Sequence, residues 1–103
     1  MLYVKEASNY DVIKMFIDNS FPKNKLPVWG TQNLKITKTL NGWSLVNYAT
    51  PLLYRKNGEN KIYYNADKYS VSTSKIQNDI KSALVNEDFK IVNEKQILDK
   101  ING

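Results

Sequence analysis

The sequence predicts an α+β domain in which a four- or five-stranded antiparallel sheet, made of two hairpins, packs against two main helices. Two Asn-Gly pairs, at 41–42 and 57–58, follow runs of alternating side chains, which indicates tight β-turns. Apolar residues recur at helical spacing over 9–19 and again over 73–85. A chain of 103 residues supports one hydrophobic core, so residues 1–103 are predicted to form a single domain.

The N-terminal part predicts a short edge strand and then the first helix. Leu2-Tyr3-Val4 has the composition of such a strand. Ser8 is the expected N-cap of the helix, with Asp11 as a weaker form of the capping-box partner. Val12, Ile13, Phe16 and Ile17 follow at helical spacing, and this stripe is expected to pack into the core.

A loop is expected to follow the first helix. Phe21-Pro22 should end the helix, because the residue before a proline is driven out of the α region. Residues 22–32 contain two prolines, a glycine and Trp29. The Trp29 ring either packs onto the core or offers a binding surface, and burial is the commoner outcome for so large a ring.

The first hairpin is expected to turn at Asn41-Gly42, so that Leu40 pairs with Trp43. The pairs on the same side are then Lys38 with Leu45, Ile36 with Asn47, and Leu34 with Ala49. This side is apolar enough to meet the helices. The opposite side carries Lys35 beside Tyr48 and is expected to face outward.

The second hairpin is less sharply defined. Pro51 should end the second strand, and Leu52 should open the third. Asn57-Gly58 gives either a tight turn or part of a longer loop over 56–60. Residues 61–65 then form the fourth strand.

The C-terminal part predicts the second helix, a fifth short strand and a terminal helical segment. The helix at 73–85 has two candidate N-caps, Ser72 and Ser74. Alternation over 89–92 indicates the strand. Asn93 with Gln96 three residues later is a capping-box pattern that introduces the last segment.

Positive charge is concentrated in one stretch of the chain. The net charge is +5, and residues 19–58 contain six cations and no acidic residue. These cations are Lys23, Lys25, Lys35, Lys38, Arg55 and Lys56. A basic face of this kind attracts nucleic acid or an acidic protein, although it can also be merely solvated. The candidate binding residues are Lys35, Lys38, Tyr48, Arg55 and Lys56.

The composition argues against an enzyme. Without cysteine or histidine, the chain lacks disulfides, thiolate chemistry and the commonest general base. Glu59-Asn60-Lys61 matches half of a nuclease metal site, but the nearest upstream acid is Asp18 in the first helix. Glycine-rich nucleotide-binding motifs are missing. Serines over 70–74 could hold a phosphate, but capping explains them better. We therefore expect no cofactor, no metal and no small-molecule substrate.

The same composition predicts a cytoplasmic protein. No apolar run approaches the roughly 20 residues that a membrane span needs. The first residues also lack the pattern of a signal peptide.

Two segments resemble a group of small phage and mobile-element proteins. They are Gly42-Trp43-Ser44-Leu45-Val46-Asn47-Tyr48-Ala49-Thr50-Pro51-Leu52 and Lys61-Ile62-Tyr63-Tyr64-Asn65-Ala66-Asp67-Lys68-Tyr69-Ser70-Val71-Ser72-Thr73-Ser74-Lys75-Ile76-Gln77-Asn78. The resemblance covers about residues 42–80. It departs from the group at Ser72, where a threonine is expected.

Some members of this group resemble inhibitors of type II CRISPR–Cas9, that is, anti-CRISPR proteins. The resemblance implies a non-enzymatic inhibitor that binds the host Cas9 effector or its guide RNA or DNA. The alternatives are a basic nucleic-acid-binding accessory or regulatory protein, and a structural phage protein whose polar sheet face self-associates. The resemblance assigns no functional residues.

Overall fold

The computed structural model describes residues 8–30 and 33–103, so the strand expected at 2–4 lies outside the described residues. Within these ranges the chain forms three helices and six strands. The helices are α1 (Asn9–Ile17), α2 (Val71–Ala83) and α3 (Glu94–Asn102). The strands are β1 (Val28–Trp29), β2 (Leu34–Lys38), β3 (Gly42–Asn47), β4 (Thr50–Lys56), β5 (Ile62–Asn65) and β6 (Phe89–Val92). None of the helices in this part of the chain is long and apolar enough to cross a bilayer.

The strands form one mixed sheet, in which each strand neighbours the next one along the chain. β1 to β5 pair antiparallel, whereas β6 lies parallel to β5. The α+β class is confirmed, but the expectation of a purely antiparallel sheet with four or five strands is wrong. α2 connects β5 to β6, and a helical crossover of this kind joins parallel strands. β1 escaped prediction because it has two residues and lies in a loop that contains proline.

The helix starts follow from capping chemistry. The Ser8 hydroxyl accepts the Asp11 N–H at 3.1 Å, and the Asp11 carboxylate accepts the Ser8 N–H at 3.2 Å, which confirms the first capping box. The Asn93–Gln96 box at the start of α3 is also confirmed. α2 begins earlier than expected because Ser70, rather than Ser72 or Ser74, is its N-cap.

The end of α1 also differs from the prediction. The helix stops at Ile17, before Phe21-Pro22 is reached. Asn19 has a positive φ of 57°, in the left-handed region that asparagine tolerates better than most residues. This backbone conformation ends the helical hydrogen-bond pattern.

The first hairpin is shifted by two residues from the expected register. Lys38 pairs with Trp43 and Ile36 with Leu45, and the Thr39 N–H donates to the Gly42 carbonyl at 2.8 Å. The turn therefore centres on Leu40-Asn41. Because side chains alternate with a period of two, a two-residue shift leaves every side chain on its expected face.

Gly42 is needed for close strand packing rather than for a turn. It is the first residue of β3 and pairs with Lys56 of β4. A Cβ atom at position 42 would overlap the backbone carbonyl of Arg55. Glycine therefore lets β3 and β4 approach each other at this end of the hairpin.

The β3–β4 hairpin turns at Tyr48-Ala49, so Pro51 lies inside β4 instead of ending a strand. Leu45 pairs with Leu53 and Val46 with Pro51, which leaves Leu52 as the extra residue of a β-bulge. Both Leu52 and Leu53 belong to the main core. The longer-loop alternative holds for the next connection, because β4 ends at Lys56 and β5 begins at Ile62.

The two faces of the sheet carry different helices. The front face, which bears Leu34, Ile36 and Leu45, packs with α1 and α2 in the main core. The rear face bears Tyr54, which packs with Val92 and Ile97 in a second, smaller cluster. α3 lies on the rear face, mainly against β4 and β5. On the rear side of β1, β2 and β3, the side chains of Trp29, Lys35, Thr37 and Val46 are partly or largely exposed, and these four residues are called the open rear face below.

Candidate binding surface

The five candidate binding residues do not form one patch. Lys35 and Lys56 belong to the rear side of the sheet, on β2 and at the end of β4. Lys38 ends β2 on the front side, opposite Trp43. Tyr48 lies in the β3–β4 turn, with a positive φ of 56° and 62% of its surface exposed. Arg55 is buried. The expected basic face is therefore divided among several places.

Lys35 lies beside an indole ring that was not expected to be its neighbour. The shifted register places Lys35 between Val46 of β3 and Trp29 of β1. Its Nζ atom lies 4.9 Å from the centroid of the Trp29 ring, within the range of a cation–π interaction. The expected pairing of Lys35 with Tyr48 is wrong for the same reason. Trp29 remains 42% exposed, so the surface alternative for this residue fits better than full burial.

Arg55 is a structural residue of the front face. Its guanidinium donates to the carbonyl of Ile17 at 2.9 Å and to that of Phe16 at 3.3 Å. Both carbonyls lie at the end of α1, where the N–H partners four residues ahead are lacking, although the Phe16 carbonyl also accepts the Asn19 N–H at 3.1 Å. Burial lowers the pKa of Arg55, while the charges of Glu87 and Asp18 raise it. Arg55 thus ties α1 to the sheet, and its burial is incompatible with its expected place on an exposed basic face.

A second lysine–tryptophan site lies on the front side. Lys23 Nζ is 4.1 Å from the Phe21 ring centroid and 5.7 Å from that of Trp43. It also donates to the Asn19 carbonyl at 2.8 Å. Burial and the charge of Arg55 lower the pKa of Lys23. Lys23 and Lys38 therefore both lie next to Trp43 on the front side. Sequence reasoning missed the cluster because its members are far apart along the chain.

Residues of the segments 42–52 and 61–78 form a buried hydrogen-bond network around Asn65. The Asn65 side chain is fully buried; its amide donates to the Pro51 carbonyl at 3.0 Å and to the Tyr69 hydroxyl at 2.8 Å. Its side-chain oxygen accepts the Asp67 N–H at 3.0 Å. Tyr69 donates onward to Glu94 of α3 at 2.5 Å. The network therefore joins β4, β5 and the start of α3.

The same network anchors the start of α2. Gln77 donates to the carbonyls of Asn65 and Asp67, at 3.0 and 2.9 Å. Thr73 donates to the Asn47 side chain at 2.9 Å, and its own N–H reaches the Ser70 hydroxyl at 3.5 Å. These hydroxyl groups serve the cap and the helix–sheet contact, which favours capping over a phosphate site. The polar residues of these two segments thus stabilise the fold.

A cavity of about 300 Å³ lies on the rear side, between the β4–β5 loop and α3. Tyr54 is 2% exposed, and its hydroxyl has no hydrogen-bond partner within the described residues. Burial is the main cause that raises the pKa of Tyr54. No three potential acidic ligands converge in the described part of the chain. The cavity is lined by Asn41, Tyr54, Lys56, Glu59, Tyr63, Asp99, Lys100 and Gly103.

Comparison of the chain with protein-family models, with curated proteins and with solved structures finds no match.

Replacing Arg55 tests its structural role. Arg55→Ala removes two hydrogen bonds from a charged donor and leaves two carbonyls of α1 without this partner. We expect the free energy of unfolding to fall by about 3 kcal/mol. Lys56→Ala, the exposed neighbour, should change it by less than about 0.5 kcal/mol. Denaturant unfolding measures both values, and equal effects would refute the role given to Arg55.

Alkaline pH tests the Tyr69 contact. Burial, followed by the hydrogen bond to Glu94, raises the pKa of Tyr69 from 10.0 to about 12. The folded state therefore favours the neutral phenol. This stabilisation is complete below pH 10.0 and is lost as the pH rises through about 12.

We expect Tyr69→Phe to lose less stability than the wild type over that pH interval, because its ring cannot ionise. Denaturant unfolding at a series of pH values measures the difference. The other tyrosines and lysines are common to both proteins. Parallel stability curves for the two proteins would show that Tyr69 is not held in its neutral form.

Proposed function

We propose that this protein is a non-enzymatic inhibitor, encoded by a phage or mobile element, that blocks host Cas9 by binding the effector or its nucleic acid. The resemblance over residues 42–80 supplies the class of target. The observation that carries the binding role is the placement of lysines beside tryptophan rings at two surfaces. Lys35 lies by Trp29, and Lys23 lies by Trp43.

The charge distribution supports an anionic target. Both lysine–tryptophan sites come from residues 19–58, which contain no acidic residue. Within the described residues, the ion pair within 4.0 Å joins Lys14 to Asp18. Lys35, Lys38 and Lys56 therefore make no such pair in that part of the chain. Unpaired cations on one segment attract phosphates or an acidic protein surface at long range.

A basic nucleic-acid-binding accessory protein is the second candidate. The exposed Trp29 ring beside Lys35 favours it, because a base can stack on an indole while a lysine contacts phosphate. Salt dependence separates a nucleic-acid target from a protein target. Binding driven by phosphate contacts should weaken steeply between about 50 and 200 mM salt, whereas binding to a protein surface should be less sensitive.

A Cas9 cleavage assay tests the proposal, with a pull-down of the effector in the presence and absence of guide RNA. The wild-type protein should reduce cleavage and be captured with the effector. The triple variant Lys35→Glu, Lys38→Glu and Lys56→Glu should inhibit at least about tenfold less well, which corresponds to about 1.4 kcal/mol of binding free energy.

The matched control carries Lys68→Glu, Lys75→Glu and Lys81→Glu, which give the same change in net charge at other exposed positions. It should inhibit almost as well as the wild type. Wild-type protein that neither binds Cas9 nor slows cleavage would refute the proposed function. Equal loss in both triple variants would mean that net charge, rather than the positions of these three lysines, is responsible.

A further inference from the structure

We infer that the open rear face binds single-stranded nucleic acid, with Trp29 as a stacking platform and Lys35 as a phosphate contact. The inference rests on the proposed function for its biological setting and names the chemistry of the partner. The binding itself can be measured without Cas9. The following observations carry it.

The surface is accessible and has mixed character. Trp29 is 42% exposed although it lies in a strand. Lys35, Thr37 and Val46 are neighbours on the same side of the sheet and are partly exposed. Such a surface offers an aromatic ring, a cation and a hydroxyl group, but little continuous apolar area. These are features of a platform for nucleotides rather than of a hydrophobic docking site.

The charge of this surface is complementary to a phosphate backbone. β1, β2 and β3 all lie within the acid-free segment 19–58. Lys56 adds a second cation at the opposite corner of the rear side, one strand further on. In standard strand geometry, Lys35 and Lys56 are then offset by about 13 Å along the strands and about 10 Å across them. One phosphate cannot contact both lysines, whereas an extended oligonucleotide lying diagonally across the strands can.

These side chains favour the binding of single-stranded nucleic acid without sequence specificity. Arg55, the one arginine of the chain, is buried, so the surface has no guanidinium for bidentate contacts to base edges. An exposed indole can stack on any unpaired base, but it cannot reach the faces of bases stacked inside a duplex.

Fluorescence anisotropy with a short labelled oligo-dT or oligo-U strand tests the inference. We expect the wild-type protein to bind, with affinity that falls as salt rises. Trp29→Leu should weaken binding about tenfold or more, as expected for the loss of one stacked base. Lys35→Glu should also weaken it and should flatten the salt dependence. Thermal unfolding of each variant checks that the fold is kept.

Two control variants match these changes elsewhere on the surface. Tyr10→Leu removes an exposed ring from α1, and Lys75→Glu reverses an exposed charge on α2. Both should bind the strand nearly as well as the wild type. If Trp29→Leu and Lys35→Glu also bind like the wild type, the inference is wrong. It is equally wrong if the wild type binds no single strand.

The outcomes also separate this inference from the proposed function. Single-strand binding that depends on Trp29, without any inhibition of Cas9, would support the surface and refute the proposed function. If the protein binds no oligonucleotide and Trp29→Leu still inhibits Cas9, the proposed function is supported and the inference about this surface is refuted. Capture of guide-free Cas9 in that case would identify a protein surface as the partner.

Discussion

The fold depends on the hydrogen bonds made by one buried amide side chain, that of Asn65. Asn65 is buried, and both of its side-chain donor positions and its side-chain oxygen are engaged. Through these bonds and through Tyr69 and Gln77, it connects the proline-containing start of β4 to α2 and α3. A proline in a strand lacks an N–H, but its carbonyl still needs a donor, and Asn65 supplies one. Because an unpaired buried polar group is destabilising, each bond in this network restricts the positions of several elements at once.

Local patterns predicted much of this fold, and long-range packing decided the rest. The capping boxes at Ser8 and Asn93 depend on residues three apart, so they are visible in the sequence. Alternation predicted which side chains of the first hairpin lie on each face of the sheet. This prediction is correct although the predicted register is wrong. The register itself was not predicted, because Gly42 belongs to β3, close to the Arg55 backbone of β4, rather than to the turn. The parallel pairing of β6 likewise becomes apparent only when α2 is placed as a crossover.

The candidate site was predicted less well, for a related reason. A count of charges along 19–58 located the basic segment but could not show which side chains are buried. Arg55 directly precedes the exposed Lys56 in sequence, yet its guanidinium contacts the end of α1. Lys35 lies beside Trp29 because β1 pairs with β2, and no short-range sequence pattern indicates that pairing. The segments 42–52 and 61–78 supply mostly scaffold contacts, and the lysine–tryptophan sites include residues outside them.

The most direct test of this account measures the free energy of unfolding of Asn65→Asp against that of Asn78→Asp. Both variants exchange an amide for a carboxylate, but Asn65 is fully buried and Asn78 is exposed on α2. Asn65→Asp loses two donors and buries a charge, so we expect a loss of about 3 kcal/mol or more, with Asn78→Asp within about 0.5 kcal/mol of the wild type. Similar, small effects of the two substitutions would contradict the claim that the Asn65 network holds the sheet and the helices together.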